Sequence, residues 1–210
     1  MRIWPLLSEV LHSADRPAPS AWQACYETKF AVMQLLQPRS IVEFGVRTGY
    51  SAFAFLTACP KTRFVGLDAN VDAHGGFVGA IDHARRILAP FDASIAEMTT
   101  AQYAKLLDGD AVLPSYDLIH VDADHTFAGC TFDLDLSLML SPRHIVVDDY
   151  LGIPDVAAAC DAFFARNGDG WTRIVVSDGH HGLVIFSRVI PKAGNLPFAS
   201  SQPSSLPGSK

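Results

Sequence analysis

Five residues at two places in this chain carry most of its chemical potential. Asp122, Asp124 and His125 follow the apolar run Leu-Ile-His-Val, and Asp148 and Asp149 follow His-Ile-Val-Val. Short runs rich in β-branched residues that stop on carboxylates are the pattern of buried parallel strands emerging at a sheet edge. Neighbouring strands lie about 4.8 Å apart, so Asp122 and the pair Asp148/Asp149 can converge on one point. Three carboxylates there repel one another unless a cation sits among them. An oxygen-only ligand set favours a hard ion, Mg²⁺ or Mn²⁺, over zinc.

The segment between the two runs positions them. Phe127, Cys130, Leu134 and Leu138 recur at helical spacing, Thr126 stands where an N-cap belongs, and Ser141-Pro142 closes the helix. Strand, helix and strand in about thirty residues make a right-handed βαβ unit with parallel strands. Upstream, the strand beginning at Ser40 runs through Glu43 into a turn with Gly45 and Gly49, and Ser51 opens the helix that follows. Glycines at such a turn let a ligand approach the backbone, and the free N–H groups of the helix start attract an anion. The next strand, Arg63 to Asp68, ends in an acid 25 residues beyond Glu43, the place where doubly wound folds bind ribose hydroxyls.

The remaining elements follow the same alternation. Helices are expected from Ser20 or Ala21 to Leu36, from Phe77 to Ala89, from about Thr100 to Leu107, and from near Pro154 to Gly168. A short strand is expected at Ala93 to Glu97. Two β-rich runs, Trp171 to Ser177 and Leu183 to Arg188, flank Asp-Gly-His-His-Gly, which is hairpin turn chemistry. The expected fold is α/β: a Rossmann-like, doubly wound, seven-stranded sheet, mostly parallel, with an antiparallel hairpin at its C-terminal end. Three parts are expected: an N-terminal helical segment over 1–39 that is a candidate lid, the main domain over 40–190, and a Pro-, Ser- and Gly-rich disordered tail over 191–210.

Composition narrows the function. The 210 residues are 49% hydrophobic with a formal charge of -6 and no basic run, which argues against nucleic acid as a partner. The four cysteines have no CxxC spacing and read as reduced structural thiols. The first residues lack the apolar run of a signal peptide, and no stretch approaches the roughly 20 apolar residues of a membrane helix. The expectation is a soluble cytoplasmic protein with no membrane partner. Trp4, Leu7 and Leu11 offer an apolar surface for a homo-oligomer.

Glu43-x-Gly45-x-x-x-Gly49, Asp68, Asp122, Asp148-Asp149 and the closing hairpin together resemble the class I S-adenosylmethionine-dependent methyltransferases, over about residues 40 to 188. Within that class the chain is most similar to metal-dependent small-molecule O-methyltransferases of the macrocin and mycinamicin sugar type. The resemblance implies that Glu43, Gly45 and Gly49 line the amino-acid and ribose part of S-adenosylmethionine, that Ser51 lies near its carboxylate, and that Asp68 binds its ribose. Asp122, Asp148 and Asp149 match the metal ligands. His125 stands where the sugar branch has its base, and Asp124 where some relatives place an acid in that role. Arg47 and the Glu97-Met98-Thr99 turn depart from the usual pattern, and Met98 offers a wall for a purine.

The implied reaction is transfer of the methyl group to a hydroxyl of a small acceptor, a sugar or another vicinal diol. The metal lowers the pKa of the attacking oxygen, and His125 or Asp124 takes the proton. Two other readings compete with it. Asp122-Ala-Asp124 also matches the Asp-x-Asp signature of metal-dependent glycosyltransferases, and a binding protein could retain a nucleoside pocket without turnover. Of the remaining candidates, His120 reads as a structural group, His180 and His181 as turn residues or an exposed pair able to bind adventitious metal, Asp133 and Asp135 as solvent-facing or capping acids, and Tyr150 as a residue that touches substrate or covers the site.

Overall fold

A computed structural model describes residues 22–72, 76–109 and 112–189. Residues 1–21 of the N-terminal candidate lid, with the apolar surface of Trp4, Leu7 and Leu11, and the expected disordered tail lie outside these residues. The element order is α1 (Gln23–Leu36), β1 (Ser40–Phe44), α2 (Tyr50–Ala58), β2 (Arg63–Asp68), α3 (Ala80–Leu88), β3 (Ala93–Glu97), α4 (Thr100–Leu107), β4 (Leu118–Val121), α5 (Phe127–Met139), β5 (His144–Val147), α6 (Pro154–Asn167), β6 (Trp171–Val176) and β7 (Leu183–Arg188).

The seven strands form one sheet in the order β3-β2-β1-β4-β5-β7-β6. The first five in that order run parallel, and β7 lies antiparallel to both β5 and β6. This is the expected doubly wound sheet with its closing hairpin. The strand order reverses between β1 and β4, and ligands of open α/β sheets bind at such a switch point, outside the carboxyl ends of the strands.

Two packed layers hold the sheet. One face buries Val42, Phe44, Ile119, Val121 and Val147 against Cys130, Leu134 and Phe163 of α5 and α6. The other buries Ile41, Phe64, Leu118 and Val146 against Met33 of α1 and Phe55 of α2. Alternate residues of each strand serve opposite layers, as the pleat requires. Phe163, Phe186 and Trp171 are buried and meet at ring-centroid distances of 5.0 and 6.2 Å, so α6 fastens the hairpin to the sheet. Each such buried ring contributes roughly 1.5–3 kcal/mol.

Local signals account for several boundaries. Thr126 caps α5 by accepting from the Gly129 N–H at 3.1 Å. Thr99 and Gln102 form a reciprocal capping box at the start of α4. Helix α3 begins at Ala80 rather than Phe77, and α1 at Gln23 rather than Ala21. All four cysteines are free, and three of them are buried. Among the described residues, no helix is long and apolar enough to cross a membrane.

Candidate active site

Strand register brings the acids together. Val121 of β4 pairs with Val147 of β5, so the residues that follow, Asp122 and Asp148, leave the sheet side by side. Phe44 of β1 pairs with Val121, which sets Gly45 against Asp122. The first turn is glycine for that reason: Gly45 has φ 87°, and a Cβ there would overlap the Asp122 carbonyl oxygen. Gly49 has φ 80°, and its Cβ would stand 2.8 Å from the Cβ of Ala84 on α3. Packing of β1 on β4 and of α2 on α3 therefore requires glycine at both positions.

Above these strand ends lies a cavity of about 760 Å³, within the usual size of small-molecule sites. Gly45, Ser51, Asp68, Met98, Asp122, Asp124, His125, Asp148 and Asp149 all line it. Gly49 and Glu43 are absent from its wall. Glu43 is fully buried behind β1 and bonded to His120 Nδ1 at 2.8 Å. Its expected place beside a ligand is thus corrected: strand alternation turns its side chain into the layer between sheet and helices. Burial pushes the Glu43 carboxyl well up and pulls the His120 imidazole down to about 3, so the pair is held neutral.

Asp68 braces the turn it faces. Its Oδ2 accepts from the Arg47 N–H and its Oδ1 from the Asn70 N–H, both at 2.7 Å. An ionised carboxylate has about four lone-pair sites, so two remain for ligand hydroxyls.

The acid cluster is organised differently from the sequence expectation. Among the described residues, no one group brings Asp122, Asp148 and Asp149 within 4.8 Å of one another; Asp122 and Asp149 converge with His125, and Asp122 and Asp148 with His120. His125 Nε2 lies 3.2 Å from Asp122 Oδ1 and 3.6 Å from Asp149 Oδ2. Asp148 is held by the ammonium of Lys29, which also donates to Ser51 Oγ at 3.1 Å. Lys29 is 3% exposed and its partner 9%, so both charges sit in a poorly solvated setting that demands pairing.

The charges tune one another. Burial, joined by Asp148, pushes Asp122 up to about 7. Burial alone would also raise Asp148, but Lys29 and His120 hold it below the usual carboxylate range. The hydrogen bond that His125 donates to Asp122 raises its pKa to about 9 against the opposing effect of burial, so the imidazole is protonated at neutral pH. Asp124 Oδ1 accepts from the Thr126 N–H at 2.9 Å and fixes the turn that presents His125.

Four cavity residues escaped the sequence reading. Lys29 left a usable signal, since it interrupts the apolar helical series Cys25, Met33, Leu36 with a charge. Asp133, expected near solvent, is 1% exposed on α5 and lines the cavity, with burial pushing its carboxyl up to about 7. Asp135 is exposed and paired with Arg166. His180 and His181, read as turn residues or an exposed pair able to bind adventitious metal, reach the cavity wall. Nothing in their spacing announces it. Tyr150 donates its hydroxyl to Asp161 at 2.9 Å and does not line the cavity.

Residues 42–150 match the family described as "Methyltransferase domain", more than half of the chain. The chain belongs to this methyltransferase family. The match runs from within β1 to Tyr150, just past the acids after β5, and includes most of the cavity wall, though not Lys29, His180 or His181. No curated protein matches at a significant level. Among solved structures, this methyltransferase is similar to an O-methyltransferase from Bacillus cereus in complex with SAH, at 18% identity and TM-score 0.64, covering 88% of this chain and 91% of that one. It is similar as well to the O-methyltransferase TomG of Streptomyces achromogenes, involved in tomaymycin synthesis and solved with SAM, at 20% identity, TM-score 0.62 and 90% of each chain. SAH-bound PaMTH1 of Podospora anserina matches at 17% identity, TM-score 0.63 and 88% of each chain. At these identities the likeness concerns the fold.

Proposed function

We propose that this chain transfers the methyl group of S-adenosylmethionine to a hydroxyl of a small acceptor with neighbouring oxygens, a sugar or another vicinal diol, with Mg²⁺ or Mn²⁺ bound in the site. One observation carries the reading: a single cavity joins a nucleoside-type wall, with Asp68 at the end of β2, to the Asp122/His125/Asp149 cluster after β4 and β5. Family membership supports methyl transfer, and the SAM and SAH held by similarly folded O-methyltransferases support the donor and the oxygen acceptor.

The residues fit both groups. Asp68 retains lone pairs for ribose hydroxyls, Met98 offers an apolar wall for a purine, and Lys29 with Ser51 sets a positive charge and a hydroxyl at the carboxylate end. Asp122 and Asp149 present carboxylate oxygens within 4.8 Å of each other and of His125, so the two carboxylates could share one hard divalent ion and leave His125 beside it for the proton. A bound cation would orient two acceptor oxygens and acidify the attacking one.

The chain's own residues do the rest. In the transfer, the acceptor oxygen forms a bond to the methyl carbon, the sulfonium–carbon bond breaks to leave a thioether, and the hydroxyl proton must be accepted. His125 becomes a competent acceptor at Nε2 once its two carboxylates are otherwise neutralised, because their charge is what keeps it protonated. Asp124 is the second candidate acceptor. Lys29 keeps Asp148 ionised beside Asp122, with which it shares a second candidate ligand group. Asp122 and Asp124 share no ligand group among the described residues, so the Asp-x-Asp glycosyltransferase reading gains no support.

The test is calorimetric binding of S-adenosylhomocysteine, followed by transfer from labelled S-adenosylmethionine to a panel of sugars and catechol-like diols, with and without EDTA. Binding and EDTA-sensitive transfer are expected. Failure to bind the nucleoside overturns the donor assignment, and undiminished transfer in EDTA overturns the cation.

A further inference from the structure

The turn between β6 and β7 carries two imidazoles to the rim of the cavity. Successive residues of an extended strand project to opposite faces, so a His-His pair in a strand could not converge. Here the pair lies in the turn. Asp178, 4% exposed, accepts at Oδ1 from the His180 N–H at 2.9 Å and from the Gly182 N–H at 2.8 Å. Both rings consequently lie on one side, with centroids 4.0 Å apart and planes inclined by 35°.

The turn is fastened to the loop after β5. Leu151 N–H donates to the His181 carbonyl at 2.7 Å, and Tyr150 N–H to the Gly182 carbonyl at 3.2 Å. The His181 ring rests against Gly152, where a Cβ would overlap it. Its Nδ1 stands 2.9 Å from Asp149 Oδ1. The other oxygen of the same carboxylate faces His125 at 3.6 Å. Asp149 therefore stands between two sets of ligand atoms: Asp122 with His125 on one side, His180 with His181 on the other. Each set, taken with Asp149, lies within 4.8 Å.

We propose that Asp149, His180 and His181 form a second cation site, nitrogen-rich and suited to a borderline ion such as Zn²⁺ or Co²⁺, with Asp149 bridging it to the site of Asp122 and His125. Tetrahedral bonds of about 2.0–2.1 Å to imidazole nitrogen set ligand atoms about 3.4 Å apart, so side-chain rotations would draw together atoms that lie within 4.8 Å of one another. Two imidazoles and one carboxylate prefer zinc or cobalt to magnesium. The site would add positive charge to the hairpin side of the acceptor space and tie the turn to the loop after β5. The proposal builds on the preceding reading through the shared Asp149.

The experiment uses full-length protein free of any polyhistidine tag, with Co²⁺ as probe. Equilibrium dialysis with metal analysis gives the stoichiometry, the visible spectrum reports the ligands, and S-adenosylhomocysteine binding is measured on every sample. Wild type is expected to hold two Co²⁺. His180→Gln, at an exposed position, and His180→Gln/His181→Gln are each expected to hold one, with nucleoside binding retained as proof of fold. Asp122→Asn is expected to hold one and to keep the imidazole signature. Equal stoichiometry in wild type and the double variant overturns the proposal. So does the absence of bound Co²⁺ from wild type, an outcome that also removes the first cation site but leaves the methyltransferase reading standing if the nucleoside still binds. Loss of nucleoside binding with two Co²⁺ retained has the opposite meaning.

Discussion

Replacing Lys29 with methionine keeps most of the side chain's length and removes its charge and its bonds to Asp148 and Ser51, which makes it the most direct probe of how this site is built. In the native protein the ammonium satisfies Asp148, and both groups are almost fully buried. Removing one member of such a pair leaves an uncompensated charge in a poorly solvated place, at a cost of about 3–5 kcal/mol. For a folded unit of this size each kcal/mol moves Tm by roughly 2–4 °C, so the variant should melt about 6–20 °C lower. Adding Asp148→Asn removes the orphaned charge and should restore at least about half of the loss, because the pair is costly to break rather than costly to omit. The pH dependence has a definite sign. Asp148 is held below its ordinary range by Lys29 in the folded protein, so its contribution is present above the unfolded value near 3.9 and is lost as pH falls through the lower folded value. Without Lys29, burial pushes Asp148 upward instead, and the deficit of the variant should narrow as the pH is lowered through that raised value. Urea denaturation at several pH values measures all of this. A loss below about 1 kcal/mol at neutral pH, or a double variant no better than the single one, would refute the assignment of Lys29 as the partner that keeps Asp148 charged.

Further outcomes follow from the same geometry. Gly45→Ala sets a Cβ onto the Asp122 carbonyl in a left-handed backbone conformation, and chemical denaturation should show a loss of about 3 kcal/mol or more. Asp122→Asn removes the main cause of the raised His125 pKa, so an NMR titration should find it lowered from about 9 by roughly 1–3 units; an unchanged value contradicts the pairing. In the wild type, the stabilisation linked to His125 is complete below its unfolded pKa near 6.5 and should fade as pH rises through about 9, which stability curves recorded from pH 6 to 10 can follow. Asp68→Ala should weaken S-adenosylhomocysteine binding by about tenfold or more in calorimetry, and equal affinity would remove Asp68 from the ribose subsite.

The linear order of residues was enough for the sheet and for the place of the site. Apolar runs ending in acids, a capped helix between them and a glycine turn after the first strand each encode a local preference, and these preferences agree, so the βαβ units and the closing hairpin follow. The acids that reach the cavity were legible for the same reason: a strand's last residue must emerge at the edge. What each acid faces there was decided only by packing. Strand alternation turned Glu43 inward to His120, and the approach of α1 set Lys29, 119 positions away in the chain, on Asp148. The turn after β6 docked on the loop after β5 and brought His181 to Asp149. Such contacts between distant segments depend on the angles at which helices and loops settle on the sheet, and no period or spacing in the sequence records those angles.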